Sequence, residues 1–412
     1  MYFLDLAWAF LWVFLLGGFY ALIAQSWEWI NGRILDKTIG GWFVKQKYMM
    51  VKIIPPAENL RSMAEMENLF INLSSIFSGK SQKDIYVDGK NHENFTFEVH
   101  SKGGEISIYC WLNRNFLSLL RSSILAHYPG TAIIEADDVY ASWPKEWTGE
   151  GFQNYKHFYA TDIIFGNKSD MYPLKSWKYF QMGSLNPTSD PLSTLIAAME
   201  HIEEEDYAIF QLVIRPFLDG QKKKDWKKEL DALKKDLATN SVSEIGDGGT
   251  VKLLTEQEKA LLNTVNFKIS SENFKFKIKV AFFSAKKSPV RMLGPLMSFF
   301  KQFSSEPQYL FPSPDTKTNR GDEGAVFGPY ADKWYWVKES MFREKKMYLS
   351  LIKRSLGRGT APKFIDVESL TALFHFPMTA NFDVGMVNRI TSNTSSNESS
   401  GTFGQPPSNL PT

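Results

Sequence analysis

Two groups of basic residues carry the strongest chemical signal in this chain. In Phe274-Lys-Phe-Lys-Ile-Lys-Val280, Lys275, Lys277 and Lys279 share one face if the segment is a strand, because side chains alternate along extended backbone. Such a row can follow a phosphate backbone. Lys222, Lys223, Lys224, Lys227 and Lys228 surround Trp226, whose ring offers a stacking surface to a base. Together these residues are the candidate nucleic-acid or anion contacts. Plainer readings compete and are preferred. The first group makes an ordinary solvent-facing row on an antiparallel sheet. The second makes a solvated amphipathic helix, its charge diluted by Asp225, Glu229 and Asp231.

Other residues capable of chemistry lack the spacing for it. Gly357-Arg-Gly-Thr-Ala-Pro-Lys363 has the wrong spacing for a phosphate-binding loop, and a proline where backbone amides must point at phosphate. His92, His100, His127, His157, His201 and His375 show no metal-ligand pairing, and Cys110 is the only cysteine, so neither a Cys-based zinc site nor an intrachain disulfide is available. Glu203-Glu204-Glu205-Asp206 lacks the Asx/Gly loop of a calcium site and reads as a solvated helix end. No catalytic, cofactor or metal site is expected, and the chain is read as a non-enzyme. A net charge of +2 over 412 residues provides no global field for nucleic acid, so any basic site must be local.

The elements that must position these residues follow from periodicity. Residues 43–54 read as a strand stopped by Pro55-Pro56, and Met63, Met66, Leu69 and Leu73 recur at helical spacing. Phe95–Val99 and Ile106–Trp111 flank Gly103-Gly104 as a hairpin. A helix near 116–124 and a strand over 131–135 complete a βαββαβ order. The order repeats over 155–311: a strand at 159–165, a helix after Asp190-Pro191, a strand at 207–215 ended by Pro216, a strand at 274–283, a helix at 292–303 and a strand near Tyr309. Two charged helices around a Gly-rich loop form an insertion at 222–266. Residues 330–380 read as a long amphipathic helix and then a strand running into a helix. Residues 391–412 are too polar to order themselves and read as a disordered tail.

Leu6 to Ala24 is an uncharged apolar run. As a helix it extends roughly 28 Å, enough to cross a bilayer, with Trp27 and Trp29 at interfacial depth. Residues 1–30 are therefore read as a transmembrane anchor. Arg33, Lys37, Lys45 and Lys47 follow it and no basic residue precedes it, which implies a single-pass protein of the cytoplasmic (inner) membrane with its bulk in the cytoplasm. The expected fold class is α+β: an N-terminal transmembrane helix followed by tandem ferredoxin-like (βαββαβ) units.

Several short motifs carry a family resemblance. They are the apolar N-terminal run, Pro55, Glu65-Met-Glu-Asn-Leu-Phe70, the Gly103-Gly104 hairpin and Ala126-His-Tyr-Pro129 in the first half. Asp190-Pro-Leu192, Gln211 with Arg215-Pro216, Ala372-Leu-Phe-His-Phe-Pro377 and Pro407-Ser-Asn-Leu-Pro411 follow. In this succession the chain resembles the membrane-proximal N-terminal region of conjugative type IV secretion DNA-transfer ATPases, without the ATPase domain. The resemblance implies either a stand-alone adaptor or scaffold of a DNA-transfer apparatus whose motor is a separate hexameric ATPase, or a truncated version of the full protein. The expected partners are the membrane, that ATPase, DNA and further copies of the chain. The motor contact is expected on the second repeat and Phe364–Pro377, because these sit closest to the tail. A membrane-associated nucleic-acid-binding protein using the lysines is the alternative.

Overall fold

Gly103 and Gly104 both adopt positive φ, 57° and 90°, and the tight turn they make joins the first long hairpin of the sheet. A Cβ on either would lie 2.7 Å from a backbone oxygen, of Glu204 and Glu200 respectively, so the turn also needs glycine for its close approach to the neighbouring chain. The structure is a computed structural model describing residues 41–42, 45–56, 59, 61–167, 169–182, 190–217, 220–240, 242–245, 249–252, 254–286, 293–318 and 329–377.

The strands are β1 (Tyr48–Ile54), β2 (Phe95–Lys102), β3 (Glu105–Asn113), β4 (Ala132–Ala136), β5 (His157–Phe165), β6 (Tyr207–Phe217), β7 (Val242–Ile245), β8 (Gly249–Lys252), β9 (Asn273–Ser284), β10 (Leu310–Pro312) and β11 (Lys363–Asp366). The helices are α1 (Met63–Ser74), α2 (Gln82–Tyr86), α3 (Leu117–His127), α4 (Trp177–Met182), α5 (Leu192–Glu200), α6 (Gly220–Asn240), α7 (Glu256–Ser270), α8 (Leu293–Lys301), α9 (Pro329–Ile352) and α10 (Val367–Leu373). Nine strands form one antiparallel sheet in the order β10-β5-β9-β6-β2-β3-β1-β4. The ninth, β11, lies beside β9 where β5 has ended. Both halves repeat one order, and β2 pairs with β6 over eight residue pairs to join them.

One face of the sheet carries Phe97, Val99, Phe210, Leu212, Ile278 and Val280 against α1, α3, α5, α8 and α10 in a single core. Each fully buried side chain of this size contributes about 1.5–3 kcal/mol by leaving water. The other face is covered by α9 and the 140–155 loop, through Tyr140, Trp147, Phe283, Tyr348 and Leu351. A satellite core joins α6 to α7 through Trp226, Leu230, Leu262, Val265 and Ile269. Capping fixes the helix starts: Thr255 and Glu258 close a capping box on α7, and Asp366 caps α10. Asp190 Oδ1 accepts from the Leu192 amide and bonds His375 Nε2, both at 2.8 Å, tying the start of α5 to the chain after α10.

Several expectations are corrected. Among the described residues no helix is long and apolar enough to cross a membrane, and residues 6–24, read as the anchor, lie outside them. The described residues thus give the N-terminal transmembrane helix and the single-pass inner-membrane location no support. The α+β class stands, but two tandem ferredoxin-like units give way to one continuous sheet. The physical reason is the edge: β2 and β6 are both long, and pairing them satisfies backbone groups that two separate sheets would each leave open. β6 does not end at Pro216 but runs on to Phe217, with Pro216 opposite Phe274. The insertion is two helices with the β7–β8 hairpin between them rather than a loop alone. The tail at 391–412 lies outside the described residues.

Candidate functional site

The lysines of β9 share a face, as alternation requires, but they do not line an open surface. Lys277 and Lys279 are buried. Lys279 Nζ donates to Gln211 Oε1 at 3.0 Å and to the Ser350 carbonyl at 2.8 Å. Lys277 Nζ donates to the carbonyls of Arg358, at 2.7 Å, and Thr360. Lys275 lies over the rings of Phe217 and Phe364. The face read as solvent-facing is roofed by residues 350–364, so neither a phosphate backbone nor bulk water reaches Lys277 and Lys279.

The other basic group divides. Trp226 is fully buried in the satellite core, with the ammonium groups of Lys222 and Lys268 5.7 and 5.8 Å from its ring centre, so it has no face to offer a base. Lys223 donates to the Ser271 carbonyl at 3.0 Å. Lys224, Lys227 and Lys228 are exposed on α6. The structure therefore leaves three of the candidate contacts together on an outer helix face and draws the others inward.

Across the middle of the sheet a charged row runs from strand to strand. Asp162, Lys279, Gln211 and Glu98 are successive register partners on β5, β9, β6 and β2. Gln211 Nε2 donates to Glu98 Oε1 at 2.9 Å, and Arg354 Nε donates to the same oxygen at 2.8 Å. His100 Nε2 meets Glu98 Oε2 at 2.7 Å, which assigns the proton to that nitrogen, and Nδ1 meets the Tyr207 hydroxyl at 2.7 Å. Arg354 also makes a two-pronged bond to Asp138, at 2.7 and 2.9 Å. Burial alone would raise the Glu98 carboxyl, but Arg354 and His100 outweigh it and hold it at about 2. Burial brings the Lys279 ammonium down to about 7 and Lys277 to about 8, with Asp162 opposing in both cases. Gly359, at φ 90°, has Asp162 Oδ2 2.3 Å from where its Cβ would stand, while Thr360 donates to that oxygen from N and Oγ1 at 2.8 and 2.9 Å. The glycines that superficially suggest a phosphate loop thus admit an internal carboxylate. Each charged group in this row has a partner inside the fold, although Asp162 Oδ1 makes no hydrogen bond among the described residues, and the row clamps the 350–360 segment onto the sheet.

The open concavity lies elsewhere. A groove of about 840 Å³ runs between α7 and the segment Pro173–Tyr179, closed at one end by Ser305 and Glu306. The α7 wall presents Gln257, Ala260, Leu261, Thr264 and Phe267, spaced as one helical face. Pro173, Leu174 and Tyr179 stand opposite. Tyr179 is 58% and Phe267 42% exposed, far more than aromatic rings with packing partners retain. Asp366, Glu368 and Ser369 at the start of α10 make the floor. Asp366 is occupied in capping, bonding Ser369 N and Oγ at 2.9 Å each. Glu368 is bonded by Lys178, whose ammonium also lies 5.3 Å from the Phe267 ring centre. Burial raises the Glu368 carboxyl, and Lys178 only partly offsets this. Reading the sequence alone missed the groove. Its one legible trace was Phe267, an aromatic residue on the polar side of an amphipathic helix.

Among the described residues no group of three His, Cys, Asp or Glu side chains is placed to hold a metal ion. No curated protein matches the chain. The model of a family described as a domain of unknown function, DUF8128, matches residues 43–320. That span takes in both halves of the sheet, the satellite core and the α7 wall of the groove, and it is more than half of the 412 residues. The chain belongs to the DUF8128 family.

Proposed function

We propose that this protein is an adaptor that works by holding partner proteins, serving a type IV secretion or conjugative DNA-transfer apparatus in which a separately encoded hexameric ATPase is the motor. The apparatus is named on the strength of the resemblance. The observation that carries the binding role is the open groove, because exposed aromatic rings in a concavity are a common basis of protein recognition. The groove also lies between the second repeat and the Phe364–Pro377 segment, where the motor contact is expected because these segments sit closest to the tail. Affinity purification of the full chain from its own cells, with mass spectrometry, should recover a hexameric ATPase, and the chain alone should hydrolyse no ATP. ATP turnover by the isolated chain would sink the reading, as would repeated purification with no ATPase recovered.

A second reading is favoured by one observation, the exposed Lys224, Lys227 and Lys228 on α6. If these contact DNA, affinity falls steeply with salt and charge reversal at the three flattens the slope. Binding that does not respond to salt removes this reading.

A further inference from the structure

The occupant of the groove is written in the chemistry of its walls. Four carboxylates line it, Glu258, Glu306, Asp366 and Glu368, against one lysine, Lys175, whose ammonium rests over the Tyr179 ring at 4.4 Å. With Asp366 buried on the floor and Glu368 paired with Lys178, the rim carries the carboxylates of Glu306 and of Glu258, whose Oε2 also caps α7, against Lys175. Between the charges the surface is apolar: Leu261, Phe267, Pro173 and Tyr179. On the floor Asp366 and Ser369 are committed to capping α10 and Glu368 to Lys178, so nothing converges to orient a small polar ligand. Asp366, at the end of the four-residue β11, is the one strand residue of the lining, so the walls present helix and loop rather than a length of strand edge to pair with. From Gln257 to Phe267 the α7 wall is roughly 15 Å long at 1.5 Å per residue, the length of two to three helical turns.

We propose that the groove receives a short amphipathic helix of a partner protein, with apolar anchors at i, i+3/i+4 and i+7 and lysine or arginine flanking the stripe. The anchors pack between Phe267, Leu261 and Tyr179, and the basic flanks face Glu258 and Glu306. This deepens the adaptor reading and rests on it for the partner's identity, whereas the chemistry of the occupant rests on the groove alone.

The probe is a fluorescein-labelled 14-residue amphipathic peptide of leucine, phenylalanine and lysine, titrated with the full chain and read by anisotropy. Its controls carry glutamate in place of lysine, or the same residues in scrambled order. The lysine peptide should bind about tenfold or more tightly than either control, the difference that about 1.4 kcal/mol produces. Tyr179→Ala with Phe267→Ala should weaken it at least as much. Both side chains are exposed, so the fold should survive. Glu306→Lys at the rim is a second variant that removes no packing, and it should weaken binding as well. Phe342→Ala, an equally exposed ring elsewhere, should change nothing. Equal binding of the glutamate or scrambled peptide overturns the proposal, as does undiminished binding to the groove variants. Affinity purification separates the two ideas. If the Tyr179→Ala/Phe267→Ala chain still recovers the ATPase, the groove assignment fails and the adaptor reading stands. If the lysine peptide binds selectively but the natural chain recovers no ATPase, the adaptor reading fails and the groove assignment stands.

Discussion

At the scale of single residues, Glu98 bears the most. It accepts from Arg354, Gln211 and His100 in a site closed to water, so removing its charge leaves the buried guanidinium with Asp138 as its one remaining carboxylate partner. Glu98→Gln should cost about 3–5 kcal/mol in urea unfolding, the usual penalty for breaking a buried pair from one side. The pH dependence follows from the direction of the shift. A carboxyl held at about 2 when folded contributes stability that is present above its ordinary value of 4.5 and is lost as pH falls toward 2. The acid limb of the stability curve should therefore flatten in Glu98→Gln. Lys279 acts at the other end. With its ammonium at about 7 when folded and 10.5 ordinarily, the unfolded chain binds more protons between those values, so stability should rise from pH 7 to 9. Lys279→Met should make that rise shallower. A natural protein whose stability falls over that interval would contradict the assignment. Alternation on β9 made it legible that the three lysines share a face. Their burial was not, because the roof comes from residues 350–364, some 75 residues later in the chain.

At the scale of elements, α6 shows how an amphipathic helix can mislead. Its lysines dominate the sequence, but Trp226 decides how it packs, fully buried against Leu230, Leu262 and Val265. Trp226→Ala should cost about 3–5 kcal/mol and lose hydrogen-exchange protection in α6 and α7 first, leaving β6 and β9 protected. Trp226→Phe should cost much less, since the indole N–H has no hydrogen-bond partner among the described residues and the ring's bulk is what packs. Equal losses for the two variants would place the importance in the N–H instead. The helix itself was legible from its charge pattern. Which face turned inward was not, because a lone tryptophan among lysines fits a stacking platform as well as a core anchor.

At the scale of the whole molecule, the two repeats act as one body. β2 and β6 pair along their lengths, α10 from the C-terminal part packs on α1 from the first half, and Arg354 reaches Glu98 and Asp138. Residues 43–140 expressed alone should therefore show no cooperative melt, since Thr96, Phe97 and Val99 would lose their partners on β6 and α10. Coexpression with residues 141–377, which keep the loop bearing Trp143 and Trp147, should restore a complex that melts as one. A cooperative melt of the first piece alone would instead mark it as an independent domain.

Apolar periodicity, the Gly103-Gly104 turn and the stop at Pro55 are local, so the sequence by itself determined the strands of the large sheet, their order along the chain and the α+β class. The repeat of that order was visible for the same reason. Only the tertiary structure decided that β2 and β6 join in one sheet, because an unpaired edge strand looks the same in sequence as a paired one. It alone decided that Lys277 and Lys279 are internal staples and that α7, Pro173–Tyr179 and α10 enclose a groove. Those outcomes depend on contacts between residues 68 to 190 positions apart, and no local pattern carries them.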